Sequence, residues 1–208
     1  VGFVGGPWTI LSYGLNIKHL ESFDISNSEA FIEKILYDQI MPLLRKNIQM
    51  QFDAGAEIVY VFDTNAKQLN NNYFLNVYFE RMKTEIFKIF PGKIAYFCKE
   101  NPLLDDPNAI QKSNLAGMVY GKAQGLEQFL KINKSGFLQG DFNPEFLQQP
   151  FEVFKVNFND FLNKFSKLNT LDRTGWICSL NHGILPKSHE SNVRYFINKT
   201  REFFGSLD

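Results

Sequence analysis

The sequence is poor in the features that usually announce a chemistry. It has two cysteines, Cys98 and Cys178, far apart and without paired-cysteine spacing. That argues against a disulfide framework and fits a reducing cytoplasm. No apolar run approaches the ~20 residues that a membrane span needs. The apolar opening holds Pro7 and lacks a basic stretch, so it does not read as a signal peptide. Lys and Arg number 22 against 22 Asp and Glu, dispersed without a basic run. A nucleic-acid surface is therefore not expected, whereas a small anionic substrate, which needs only a few local cations, stays open. No glycine-rich phosphate loop follows any apolar run, which weakens a dinucleotide-binding reading. No low-complexity linker or solenoid period divides the chain, and its 208 residues suit a single domain, 1–208, with length enough for a core.

Phenylalanine, by contrast, is abundant: 22 residues in a chain that is 44% hydrophobic. That composition suits a globular core of thick helix–strand packing. The chain opens on Val1-Gly2-Phe3-Val4-Gly5-Gly6-Pro7-Trp8-Thr9. Val1 to Val4 reads as a buried strand, Gly5 and Gly6 permit a sharp turn, and Pro7 ends the pairing. Trp8, Thr9 and Tyr13 are placed on the loop and first helical turn beyond it. A start inside a strand reads as the interior of a longer polypeptide.

Downstream, one unit recurs. Ser26-Asn27-Ser28-Glu29 supplies helix-capping types, and Phe31, Ile35, Leu36 and Ile40 follow at helical spacing. Pro42 predicts a break or kink near Met41. Leu43, Leu44, Ile48 and Phe52 resume the stripe, and Gly55 stops it. Further helices are predicted over 73–90, 124–132, 150–165 and 190–204, with a short segment at 108–113. Strands are predicted at 1–4, 57–62, 93–98, 115–120, 136–139 and 176–180. Strands alternating with helices imply a parallel sheet with right-handed crossovers. The pattern alone fits either an open doubly wound sheet or a (β/α)8 barrel.

Candidates for chemistry are the polar residues just after each apolar run: Thr9 and Tyr13; Asp63, Thr64 and Asn65; Lys99 and Glu100; Lys122; Asp141 and Asn143; Asn181 and His182. Each also has a plain structural reading. A lone histidine is more often a loop hydrogen-bonder, Tyr13 can simply pack, and Thr64 can cap a turn. Cys98, Cys178 and His182 do not form a recognisable metal motif, and buried structural thiols are the expectation.

Four ordered stretches resemble the uroporphyrinogen decarboxylase family. They are Gly2-Phe3-Val4-Gly5-Gly6-Pro7-Trp8-Thr9-Ile10-Leu11-Ser12-Tyr13; Asp53 through Thr64; Leu138-Gln139-Gly140-Asp141-Phe142-Asn143-Pro144; and Leu180-Asn181-His182-Gly183-Ile184-Leu185-Pro186. The resemblance covers the family's length from about its third strand onward. It implies an α/β fold, a (β/α)8 TIM barrel lacking its first two β/α units, with the site at the C-terminal strand ends. It implies cofactor-free decarboxylation of uroporphyrinogen III to coproporphyrinogen III, with a porphyrinogen substrate and a homodimeric assembly. It also assigns residues: Tyr13 and His182 as catalytic, Phe62 and Thr64 as substrate-binding, and no metal. The family's arginines and pyrrole-binding aspartate belong to the units ahead of Val1. Departures are visible too. Lys67 and Glu100 stand where the family pattern has glycine, and Gly117-Met118-Val119-Tyr120 replaces a segment that usually carries aspartate. Two other readings are a non-catalytic family member acting as a binding or scaffold protein, and a zinc methyltransferase relative.

Overall fold

The computed structural model describes residues 1–26, 28–122 and 125–205. The predicted capping residue Asn27 and helix start Gln124 lie outside the described residues. The chain divides into two units, Val1–Val119 and a second from Tyr120 onward.

In the first unit, strand β1 (Gly2–Gly5) passes through Gly6 directly into helix α1 (Pro7–Gly14). Trp8, Thr9 and Tyr13, expected on a loop and first helical turn, all lie within this helix. Pro7 fills the first helical position, where its missing N–H needs no partner and its fixed φ suits the turn. Helix α2 (Glu29–Ile35), a π-helical turn (Leu36–Ile40) and helix α3 (Met41–Asp53) follow without interruption. Of the break or kink expected near Met41, the chain shows no break; the irregularity there is the π-helical turn. The Met41 N–H reaches five residues back to the Leu36 carbonyl. The widened turn thus ends just ahead of Pro42, so the missing donor falls at a junction and the helix continues. Gly55, with φ of 96°, closes this helix by donating to the Phe52 carbonyl at 2.9 Å.

Strand β2 (Val59–Phe62) leads through a 3₁₀ turn (Thr64–Gln68) to a second composite helix. Its parts are α4 (Asn71–Tyr73), a π turn (Phe74–Tyr78), α5 (Phe79–Met82) and a further π turn (Lys83–Phe87). Asn70 caps it by accepting the Tyr73 N–H at 2.9 Å. Strand β3 (Ile94–Phe97), helix α6 (Ala109–Lys112) and strand β4 (Gly117–Val119) complete the unit.

These strands pair in parallel, each with its successor. Val4, Val61, Tyr96 and Met118 share one register row, and Gly5, Phe62 and Phe97 share the next. Side chains alternate between faces along a strand. Val4, Val59, Val61, Ile94, Tyr96 and Met118 are buried on the helix-packed side; the other side is open at Phe3 and Phe62, 70% and 37% exposed, and closed at Ala95 and Phe97, which are buried. Phe62 contacts Phe3, Tyr60 and Phe97 with ring centroids 6.3, 5.6 and 6.1 Å apart, forming an open aromatic face.

The second unit holds α7 (Leu126–Ile132), β5 (Phe137–Phe142), α8 (Phe151–Ser166), α9 (Thr170–Arg173), β6 (Trp176–Leu180) and α10 (Glu190–Gly205). Strands β5 and β6 are parallel, Leu138 opposite Trp176 through Phe142 opposite Leu180. The phenylalanine stripe of α8 behaves as expected at Phe154, Phe158, Phe161 and Phe165, which are buried, while Phe151 lies at the rim. Phe142 packs on Phe158 and Phe161, each at 5.1 Å, and Trp176 stacks on Phe165 at 3.8 Å. Strand β5 runs three residues past the predicted end, so Asp141, expected after the strand, lies buried inside it.

Candidate active site at the strand ends

Asp63 organises the strand ends of the first unit. It follows β2 directly and is completely buried. Its Oδ1 accepts the Thr9 N–H at 2.8 Å, and its Oδ2 accepts the Tyr96 hydroxyl at 3.3 Å and that of Tyr78 in a very short bond. Tyr78 lies at the end of a π turn, and its oxygen in turn accepts the Trp8 N–H at 3.0 Å. Burial pushes the Asp63 carboxyl up, and the Tyr78, Thr9 and Tyr96 donors pull it back. Burial also pushes the Tyr78 and Tyr96 hydroxyls well up, so both remain protonated donors. Gly6 passes so close that a methyl group there would collide with the Asp63 Cβ and Cγ, which is why this turn requires glycine.

A second set of bonds ties the same two loops. Trp8 Nε1 donates to Gln68 Oε1 at 3.0 Å, and Gln68 Nε2 donates to the carbonyls of Ile17 and Leu20 at 2.9 and 2.7 Å. The Asn65 N–H donates to Thr9 Oγ1 at 3.1 Å, and Asn65 Nδ2 donates to Ser12 Oγ at 2.8 Å.

Of the four residues assigned from sequence, three belong to this unit. Tyr13 is on the exposed side of α1, 60% accessible, with Lys18 Nζ 4.6 Å from its ring centroid. Phe62 ends β2 on the open aromatic face. Thr64, half-buried, opens the 3₁₀ turn between Asp63 and Asn65. His182 follows β6 in the second unit and is exposed. Asp63 was visible only as one polar residue among many, and Tyr78 and Tyr96 were not singled out. Both tyrosines sit in apolar runs where periodicity reports burial and is blind to a hydroxyl.

The departures at Lys67 and Glu100 meet each other. Lys67 Nζ lies 3.6 Å from Glu100 Oε1. Glu100 has φ of 54°, the left-handed region that glycine occupies at no steric cost. Lys67 is half-buried but Glu100 is exposed, and a pair 3.6 Å apart with one partner in solvent is worth little, so the backbone term decides. Glu100→Gly is expected to stabilise the chain by about 1 kcal/mol, read as a higher urea midpoint. A lower midpoint would show that the pair outweighs the strain.

Burial pushes the Cys98 thiol well up and the Cys178 thiol up to about 12. Among the described residues no His, Cys, Asp and Glu side chains gather in a metal-binding group. Elemental analysis of purified protein is expected to find no stoichiometric zinc. About one zinc per chain, lost on Cys98→Ala, would instead promote the methyltransferase reading.

The family model described as uroporphyrinogen decarboxylase matches residues 1–203. The chain belongs to the uroporphyrinogen decarboxylase family. Curated relatives of that name agree. One from Microcystis aeruginosa is 24% identical, the match covering 98% of this chain and 58% of the relative. One from Orientia tsutsugamushi (strain Ikeda) is 27% identical, covering 99% and 61%, and one from Prochlorococcus marinus is 29% identical, covering 94% and 57%. The chain thus spans about three fifths of the length of the uroporphyrinogen decarboxylases it matches. Membership also accounts for the α/β architecture: parallel strands alternating with helices are β/α units of the family's (β/α)8 barrel. Among the described residues no helix is long and apolar enough to cross a membrane.

Proposed function

We infer that the protein containing this chain decarboxylates the four acetate side chains of uroporphyrinogen III, yielding coproporphyrinogen III. The family match over residues 1–203 carries this reading. The chemistry asks little beyond placement. Protonating a pyrrole ring carbon makes the ring an electron sink. The bond from the acetate methylene to its carboxylate then breaks and carbon dioxide leaves. Proton uptake at the methylene gives a methyl group, and loss of the proton first placed on the ring carbon restores the pyrrole. One proton is thus taken up net for each carbon dioxide released. No oxidant or reductant is consumed, and no cofactor is invoked. What the protein supplies is fixed polar groups around developing charge, which is usually the largest catalytic contribution.

In this proposal Thr64 and His182 bind substrate carboxylates, Tyr13 hydrogen-bonds within the site, and Phe62 forms part of an apolar floor for the macrocycle. The homodimer and the cytoplasmic location expected from the family belong to the same proposal. A non-catalytic binding protein is the second reading, favoured by the charged Lys67–Glu100 pair on the strand-end loops.

His182→Ala separates the assigned role from stability. Because His182 is exposed, the variant of the full-length gene product is expected to melt like the parent. Losing one charge-assisted carboxylate contact should weaken porphyrinogen binding by about 1.5–3 kcal/mol. Unchanged affinity and turnover would remove His182 from the site.

A further inference from the structure

Two of the three residues assigned to the site in the first unit, Tyr13 and Thr64, are joined through Thr9. Thr9 stands one helical turn before Tyr13 on α1, at the i, i+4 spacing that shares a face. Its N–H is held by Asp63 Oδ1 at 2.8 Å, and its Oγ1 accepts the Asn65 N–H at 3.1 Å. Asp63 and Asn65 are the residues on either side of Thr64. One threonine on α1 thus grips both neighbours of Thr64, and Ser12 adds a further tie by donating to the Thr9 carbonyl while accepting from Asn65 Nδ2, each at 2.8 Å.

The anchoring of Asp63 shows what the arrangement delivers. Its partners among the described residues are all neutral donors, the Thr9 N–H and side chain and the Tyr78 and Tyr96 hydroxyls, and none is a cation. The Tyr78 oxygen already accepts from Trp8, so its hydrogen is directed at the carboxylate. A buried carboxylate held this way costs desolvation that an apolar side chain would not. In return it fixes directions: one oxygen toward the first turn of α1, the other toward hydroxyls carried by the composite helix and by β3.

We propose that Thr9 and Asp63 form a positioning clamp that holds Tyr13 and Thr64 in fixed relation, as one recognition element for a carboxylate-bearing tetrapyrrole. The substrate class rests on the function proposed above, whereas the clamp is a property of this chain's own bonds. Thr9 and Asp63 touch no substrate in this scheme and act through the residues they hold.

The test uses three variants of the 208-residue chain. Thr9→Val removes only the hydroxyl and keeps the shape, Thr9→Ser restores the hydroxyl, and Asp63→Asn removes the charge. Amide hydrogen exchange at Thr64 and Asn65, melting temperature, and quenching of protein fluorescence by uroporphyrin III are measured for each. Thr9→Val is expected to speed exchange at Asn65 and weaken uroporphyrin binding, each about tenfold for one lost hydrogen bond, with melting little changed. Thr9→Ser should return both to within about twofold, since it keeps the hydroxyl acceptor. A purely structural contact would move melting and leave affinity alone. Unchanged exchange and affinity in Thr9→Val, or Thr9→Ser no better than Thr9→Val, would overturn the clamp. Should Asp63→Asn fail to fold, the Thr9 pair still decides. Should the parent chain bind no uroporphyrin, the substrate reading fails, and exchange alone judges the clamp: accelerated in Thr9→Val but not Thr9→Ser supports it, unchanged in both overturns it.

Discussion

Replacing Trp8 with alanine is expected to destabilise the chain by about 3–5 kcal/mol, the usual cost of removing a large buried aromatic side chain. Trp8 is fully buried and packs on Phe23 with ring centroids 5.7 Å apart. Its indole N–H is the donor to Gln68 Oε1, and Gln68 in turn donates to the carbonyls of Ile17 and Leu20. Deleting the indole leaves a cavity and a buried Gln68 oxygen without its donor, which moves the cost toward the upper end of that range. Against a net stability of about 5–15 kcal/mol for a typical domain, this is a large fraction. Trp8→Phe fills most of the space and loses only the hydrogen bond, so about 1–3 kcal/mol is expected. Urea titration distinguishes the two, and a Trp8→Ala midpoint close to that of the parent would contradict the packing described here.

The second large effect concerns pH. Burial pushes the Asp141 carboxyl up from its ordinary value of 3.8 to about 6, with Glu127 pushing the same way, while the Leu126 N–H and Lys164 pull it down. Between those two values the folded chain holds a proton that the unfolded chain has released. Stability from this group is therefore complete below about pH 4 and is lost as pH rises through about 6. The total loss is about 3 kcal/mol, at 1.36 kcal/mol per pKa unit. Asp141→Asn keeps an oxygen for the Leu126 N–H, 3.4 Å away in the parent, and removes the ionisation. It is expected to be more stable than the parent above pH 7, by up to about 3 kcal/mol, with the difference shrinking toward pH 4.5. Urea unfolding of both proteins across that range isolates the group. A difference that grows as pH falls would contradict the assignment.

Asp141 also shows where sequence reading stops. The strands were legible because Val59–Phe62 and Ile94–Phe97 are short, apolar and rich in β-branched or aromatic residues, and because turns flank them. The α8 stripe was legible because Phe154, Phe158, Phe161 and Phe165 keep helical spacing. Asp141 looked like a strand-end residue since a carboxylate rarely lies within a buried strand, and only the pairing of β5 with β6 places it there. The π turns were invisible for a related reason. Apolar spacing of three and four tolerates one extra residue per turn, so the stripe through Phe74, Tyr78 and Phe79 reads as an ordinary helix. At the site, four assigned residues came from resemblance and local position. The bonds that hold them came from neither, because the Tyr78–Asp63–Thr9 chain joins three separate elements whose approach is set by packing.

The central claim is that this chain contributes to a porphyrinogen decarboxylase site. Its most direct test is anaerobic incubation of the full-length gene product with uroporphyrinogen III, without added metal or cofactor, followed by oxidation and chromatographic separation of the porphyrins by carboxylate number. The account predicts successive loss of carboxylates ending at four, slowed in Thr64→Val and His182→Ala variants that remain folded. Unchanged octacarboxylate with a folded protein that binds the porphyrin would contradict the catalytic claim and favour the non-catalytic binding protein.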